Sequence, residues 1–170
     1  MSFFSSLVPD REFEKYSDVT PELLESEGIS ALLVDIDNTL APYEQPEPDE
    51  THFGWLKRLR ESGVSCALIS NNKLPRVERF ARELGIPAYA DCKKPRTKHL
   101  RRALSGLGVP PGRAAILGDQ IFTDCLAAKR LGMKAYIVPP IKDKKNLFFR
   151  FKRLLEKPFL RAGKQNRKEY

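Results

Sequence analysis

Short apolar runs alternate with amphipathic stretches along the body of this chain. Thr20-Pro21-Glu22 has the marks of a helix start, with a hydroxyl for the cap, proline in the first turn and an early acid, and Gly28 suits its end. The run ISALLVDID, Ile29 to Asp37, predicts the first central strand. PDETHFGWLKRLRESG predicts a helix with Phe53, Leu56 and Leu59 on one face, ended by Gly63, and VSCALIS predicts the next strand. In LPRVERFARELG the residues Val77, Phe80, Ala81 and Leu84 recur at helical spacing, and IPAYA follows as a short strand. TKHLRRALSGLG, AAILGD, IFTDCLAAKRLG and KAYIVPP continue as helix, strand, helix and strand. Strands that are apolar throughout and separated by helices predict an α/β fold, a Rossmann-like parallel sheet with helices on both faces.

In such a sheet the ligand site lies at the carboxyl ends of the strands. The polar residues that stand out fall there: Asp35 and Asp37 after the first central strand, Ser70 with Asn71 and Asn72 after CALIS, Lys93 and Lys94 after AYADC, and Asp119 after AAILG. Asp35 and Asp37 lie on the same side of an extended chain, where two carboxylates repel unless a positive charge lies between them. A metal ion resolves that repulsion.

This set suits attack of a carboxylate on phosphorus, because cations neutralise the repulsion between an anionic nucleophile and an anionic substrate. Asp35 is the expected nucleophile. Asp37, two residues on, is the expected acid that protonates the leaving alcohol and the base that then activates water. Magnesium takes octahedral oxygen ligands, which Asp35, Asp119 and the backbone carbonyl of Asp37 would provide. Ser70, the Asn71 amide and Lys94 would hold the phosphoryl oxygens.

The stretches DIDNT at 35 to 39, ISNN at 69 to 72, KKP at 93 to 95 and GDQIFTD at 118 to 124 resemble, in order, the four motifs of the haloacid dehalogenase (HAD) superfamily. The last has the GDxxxxD form of subclass IIIA. More narrowly the chain resembles the YqeG-like branch, related to the mitochondrial phosphatidylglycerophosphate phosphatases. The resemblance covers about residues 20 to 140 and implies a magnesium-dependent phosphatase working through an aspartyl phosphate. It implies Asp35 as nucleophile, Asp37 as acid/base, Ser70 and Lys94 as phosphate ligands and Asp119 as a magnesium ligand. Thr39 would support the loop, and Asp124 would orient the water or side chains around the metal. Lys94 is preferred to Lys93 because the related motif has lysine directly before proline. The substrate implied is phosphatidylglycerophosphate, converted to phosphatidylglycerol.

Only 30 residues separate Thr39 from Ser70, and 23 separate Ser70 from Lys94. These lengths hold the predicted helices and strands and leave no room for a cap domain. An open site suits a phosphate carried on a large body better than a small metabolite that needs enclosure.

Composition then divides the chain. The 170 residues, 41% of them hydrophobic, fit one domain. The net charge of +8 is lopsided: residues 1–140 hold 19 Lys+Arg against 19 Asp+Glu, and residues 141–170 hold 11 against 3. The expected organisation is a HAD-like phosphatase domain over 1–140 and a basic amphipathic C-terminal segment over 141–170. In that segment Leu147, Phe148, Phe151, Leu154 and Leu155 share a helical face, with Arg150, Lys152, Arg153 and Lys157 around the other. Two readings stand side by side: an interfacial anchor on an anionic membrane surface, and a last helix packed on the sheet. Cys66, Cys92 and Cys125 are never spaced as CxxC, so a reducing cytoplasm is expected, with a peripheral position on the inner face of the membrane if the anchor operates. The N-terminal MSFFSSLVPDREFE lacks the basic start of a secretory signal, and no apolar run is long enough to span a bilayer. His52 and His99 lack metal-ligand neighbours and are expected in structural or surface roles, with Trp55 and Tyr89 in core or rim. Nucleic acid is not an expected partner, and the sequence does not give the oligomeric state. The competing functions are the same chemistry on a soluble phosphosugar, nucleotide or phosphoprotein, and an RNA- or ribosome-binding protein with a relic site.

Overall fold

A computed structural model describes residues 5–142, 155–156 and 158–160. Its centre is a six-stranded, wholly parallel sheet in the order β1-β6-β5-β2-β3-β4. The strands are β1 (Arg11–Glu12), β2 (Ala31–Val34), β3 (Ser65–Ile69), β4 (Ala88–Tyr89), β5 (Ala114–Gly118) and β6 (Lys134–Ile137). The helices are α1 (Pro21–Ser26), α2 (Glu50–Glu61), α3 (Leu74–Leu84), α4 (Lys98–Leu107) and α5 (Leu126–Leu131), the last preceded by a π-helical turn, Ile121–Cys125.

Alternation along each strand divides the core in two. Leu32, Val34, Cys66 and Leu68 pack under α1, α2 and α3 with Leu24, Trp55, Val77 and Phe80. Ala31, Leu33, Ala67 and Ile69 pack on the other face with Leu100 and Leu104 of α4 and Leu126 of α5. Helices therefore cover both faces, as the apolar strands predict. From β2 the chain proceeds one way through β3 and β4, then returns to the other side for β5 and β6. The crevice where the order reverses, at the carboxyl ends of β2 and β5, is where a ligand site belongs.

The helix starts follow their caps. The Thr20 hydroxyl accepts from Leu23 N at 3.3 Å ahead of Pro21. Asp49 caps α2 by accepting from Thr51 N at 3.0 Å, and Asp49 N donates to His52 Nδ1 at 3.0 Å. Nδ1 also lies 2.7 Å from Asp49 Oδ1, and Nε2 lies 2.9 Å from the Leu40 carbonyl. His52 is thus a buried structural residue that ties α2 to the turn after β2, and Trp55 is core, its indole donating to Val19 O.

Two elements differ from the periodicity. The buried face of α2 is His52, Trp55, Leu56 and Leu59, and Phe53 lies outside it, 36% exposed. His52 replaces Phe53 on that face because its ring nitrogens both find partners there. The strand β1 has no apolar signal; it joins the sheet edge through Asp10 N to Ala135 O and Phe13 N to Ile137 O, each 2.9 Å. The Asp10 carboxylate accepts from Ala135 N (2.7 Å) and Lys129 Nζ (2.8 Å), so polar contacts do the work that periodicity does elsewhere.

The C-terminal residues described are helical and lie against the body, with Phe159 and Leu160 on the α4/α5 side of the core and Leu155 exposed. Leu147, Phe148, Phe151 and Leu154 of the expected apolar face, and the basic Arg150, Lys152, Arg153 and Lys157, lie outside the described residues. Among the described residues no helix is long and apolar enough to cross a membrane. Cys66, Cys92 and Cys125 are buried free thiols.

Burial predicts a sharp contrast between two phenylalanines. Phe80→Ala should cost about 3–5 kcal/mol, as a large side chain is lost from a packed core. Phe53→Ala should stay within about 0.5 kcal/mol, as expected of a surface position. Urea unfolding of both variants checks this.

Candidate active site

The site begins where β2 stops. Asp35 N donates to Leu117 O at 2.9 Å, so Asp35 is still in register with β5, while Ile36 turns into the core. The chain then reverses: Thr39, Leu40 and Ala41 N all point at Ile36 O, and Asn38 takes a left-handed φ of 66°. This brings Asp35 and Asp37 out on one side of the strand end, in different surroundings.

Asp35 is buried beside Lys94. The Lys94 ammonium lies 2.6 Å from Asp35 Oδ1 and 2.6 Å from Asp124 Oδ1, and donates to Ile69 O at 3.1 Å. Of the adjacent lysines Lys94 points inward, its side chain 2% exposed, and Lys93 points out at 60% with Asp91 as its partner. Asn71 fixes Lys94 from the end of β3: its Oδ1 accepts from Lys94 N at 2.7 Å, and its Nδ2 donates to Lys94 O at 3.2 Å. The Asn71 side chain is therefore a clamp on the lysine backbone. Ser70, also buried, accepts from Asn72 N through its hydroxyl at 3.0 Å and donates to Asp37 Oδ2 at 3.5 Å.

Asp37 is held by a separate set of donors. Asn72 Nδ2 reaches Oδ2 at 3.1 Å, and Arg76 Nε and Nη2 each approach Oδ1 at 3.4 Å. Arg76 also donates to the carbonyls of Pro42 and Gln45 and lies 5.4 Å over the Phe80 ring. Asn72 stands in the strand-end group read from sequence without a role assigned to it, and Arg76 is outside that group. The available signal was position: Arg76 is in the first turn of the helix that follows β3, which faces the strand ends. Thr39 is buried in the turn, and its hydroxyl has no hydrogen-bond partner among the described residues.

Asp119 and Asp124 complete the cluster. Carboxylate oxygens of Asp35, Asp119 and Asp124 lie within 4.8 Å of one another, and all three residues are buried. The π-helical turn brings Asp124 inward, where Oδ2 accepts from Gln120 N at 3.2 Å. A side chain on Gly118 would collide with Asp124, since a Cβ there would lie 2.3 Å from Asp124 Cγ. Glycine at 118 is what lets the carboxylate lie over the end of β5.

The electrostatics follow from this crowding. Burial drives the Asp35 carboxyl up from the ordinary carboxylate range; Lys94 opposes that shift, and Asp124 and Asp119 add to it. Burial alone would lower the Lys94 ammonium, but Asp124 and Asp35 outweigh it and hold the lysine charged. Lys94 pairs with two of the three buried carboxylates, Asp35 and Asp124. A donor set of three converging carboxylates fits a hard divalent cation.

Gly118→Ala should displace the Asp124 carboxylate without opening the core. Turnover of a phosphomonoester should fall by about 100-fold, the scale of an ångström-sized misplacement in an active site. Steady-state kinetics beside a melting curve checks it.

The profile of the haloacid dehalogenase-like hydrolases matches residues 10–132. The Bacillus subtilis (strain 168) protein named "Probable phosphatase YqeG" is 30% identical over 158 residues, 93% of this chain and 92% of its own length. A Legionella pneumophila protein assigned to subfamily III A of the HAD hydrolases superposes with a TM-score of 0.53 at 24% identity, covering 69% of this chain and 71% of that one. The cobalt-bound deoxy-D-mannose-octulosonate 8-phosphate phosphatase of Haemophilus influenzae gives a TM-score of 0.50 at 18% identity, covering 81% and 90%. The two superpositions establish likeness of fold. With the family match over most of the chain, this protein belongs to the haloacid dehalogenase-like hydrolases and is a phosphatase of that family.

Proposed function

We propose that the chain hydrolyses a phosphomonoester through an aspartyl phosphate on Asp35. The observation that carries this reading is the buried Asp35 carboxylate with Lys94 Nζ 2.6 Å from one of its oxygens. With Oδ1 held, Oδ2 is the attacking atom: it forms the bond to phosphorus as the bond to the leaving alcohol breaks, and Asp37 gives that alcohol its proton. Asp37 then takes a proton from water as the water attacks phosphorus, which frees Asp35 and releases inorganic phosphate. Lys94, the Ser70 hydroxyl and the Asn71 backbone amide stabilise the charge on the phosphoryl oxygens. Asp35, Asp119 and the Asp37 carbonyl, with Asp124 beside them, would hold a divalent cation, magnesium in this proposal, which would neutralise charge between nucleophile and phosphate.

The favoured substrate is phosphatidylglycerophosphate. The support is an open site: only α2 and β3 lie between Thr39 and Ser70, and only α3 and β4 between Ser70 and Lys94, so no inserted domain covers the cluster. A phosphate on a lipid headgroup could approach such a site from a bilayer. Arg150, Lys152, Arg153 and Lys157 would add attraction to anionic lipid of about 1 kcal/mol each near the surface.

The mechanism is checked by trapping. Asp35→Asn should abolish turnover with an unchanged melting temperature. Asp37→Asn should accumulate one phosphoryl group on Asp35, visible by intact mass. Chelation should stop the wild type and magnesium restore it, with magnesium binding followed separately by calorimetry. Full activity of Asp35→Asn, or undiminished turnover after exhaustive chelation, refutes the assignment.

The substrate is checked by phosphate release from phosphatidylglycerophosphate in anionic vesicles against a panel of soluble phosphomonoesters. Changing Arg150, Lys152, Arg153 and Lys157 together to glutamine should slow vesicle hydrolysis by about 10-fold or more and spare a soluble ester, and added salt should mimic the change. Cleavage of soluble esters alone moves the substrate to a phosphosugar, nucleotide or phosphoprotein. Binding of RNA with no cleavage overturns the enzyme reading.

A further inference from the structure

Glu156 is a buried carboxylate in the C-terminal segment, 1% exposed, and no step proposed above uses it. Its Oε1 accepts from Ile121 N at 3.1 Å, across 35 residues of sequence. Three residues further on, Phe159 meets Phe122 edge to face, with ring centroids 6.1 Å apart. The segment therefore grips the first two residues of the π-helical turn that carries Asp124.

The start of that turn has two successive backbone donors inside the protein. Gln120 N goes to Asp124 Oδ2 at 3.2 Å, and Ile121 N goes to Glu156. The amides at a helix start lack intrahelical partners, and leaving a buried one unpaired is unfavourable. Without Glu156, Ile121 N would compete for the acceptor at hand, the Asp124 carboxylate. Asp124 is fixed on its other side by Lys94 at 2.6 Å and confined from below by Gly118, so a small rotation toward Ile121 would loosen the ammonium from Asp35 as well. Because Glu156 takes the Ile121 amide, Asp124 Oδ1 stays on Lys94 and in the carboxylate cluster.

We infer that Glu156 is a positioning residue for the phosphatase site: by accepting the Ile121 amide it holds the π-helical turn so that Asp124 stays on Lys94 and within reach of Asp35 and Asp119. The inference rests on Asp124 belonging to the proposed site. It makes the C-terminal segment a working part of the catalytic body, whatever its basic residues bind.

The test uses the full chain and a soluble phosphomonoester. Glu156→Ala should lower kcat by about 10-fold or more with KM within about 2-fold, since binding is left intact and alignment for reaction is lost. Calorimetric magnesium affinity should fall in parallel. Glu156→Gln, whose carbonyl oxygen can still accept from Ile121 N, should keep kcat within about 3-fold of wild type. That rescue separates the hydrogen bond from charge, because loss of charge affects the alanine and glutamine variants alike; Glu156→Met, close to glutamine in length with no carbonyl acceptor, separates it from packing and should lose kcat as alanine does. If Glu156→Ala does not fold, Glu156→Asp reads the same bond by withdrawing the carboxylate one methylene from Ile121, and it should show the same loss in kcat. Wild-type kcat in Glu156→Ala or Glu156→Asp overturns the inference, as does a glutamine variant no better than alanine. Wild-type turnover of the same ester, measured alongside, distinguishes failure of this inference from failure of the phosphatase mechanism itself.

Discussion

One lysine binds two of three clustered, buried carboxylates, and much of the local structure exists to make that arrangement hold. Removing an ion from water costs several kcal/mol even after relaxation, and a partner repays it only in good geometry. Lys94 supplies that geometry to Asp35 and Asp124 at once, at 2.6 Å each, and sends a further hydrogen bond to Ile69 O. Asn71 grips both the N–H and the carbonyl of Lys94, so the ammonium enters from a fixed backbone. The third carboxylate, Asp119, accepts from Gln120 Nε2 at 3.2 Å. Carboxylate oxygens of three buried residues converging within 4.8 Å are the physical reason the cluster suits a cation.

The sheet explains why these groups meet. Each comes from the carboxyl end of a different strand: Asp35 after β2, Ser70 and Asn71 after β3, Lys94 after β4 and Asp119 after β5. Wholly parallel pairing sends all those ends to one edge, and the reversal of strand order beside β2 opens the crevice between them. The apolar runs buried between helices fix the strands rigidly, and the polar residues occupy the loops that such a scaffold positions.

Most of the periodic signal was a sound guide. Val77, Phe80, Ala81 and Leu84 recur at helical spacing and are the buried residues of α3. The strand-end rule brought Asp35, Asp37, Ser70, Lys94 and Asp119 to one edge without any knowledge of side-chain contacts. What was not legible depended on partners far away in sequence. Phe53 lost its place to His52 because a polar ring found polar partners on both sides, and hydropathy cannot show that. The strand β1 is a two-residue edge with no apolar alternation. Asp124 was assigned to the surroundings of the metal, and its carboxylate falls within 4.8 Å of those of Asp35 and Asp119, because a π-helical turn brings the side chain inward. Glu156 reaches the same turn from the C-terminal segment, a contact that no local pattern announces.

The pair that opens the site, Asp35 and Asp37, is divided by its environment. Alternation alone makes the two equivalent, yet their neighbours differ in kind. Asp35 faces a buried ammonium and two further carboxylates, and its side chain is 8% exposed; Asp37 faces Arg76, Asn72 and Ser70, and is 18% exposed. A group that exchanges protons with a leaving alcohol and with water needs solvent contact and donors that can yield. A nucleophile needs a fixed oxygen beside fixed positive charge. Arg76, tethered to two carbonyls of the loop after β2, keeps Asp37 on the outer side of the cleft, while Lys94 keeps Asp35 on the inner side. Two aspartates that alternation alone cannot tell apart are thus sorted into an inner and an outer position by a lysine after β4 and an arginine of α3. This is the asymmetry that the proposed division of labour between them requires.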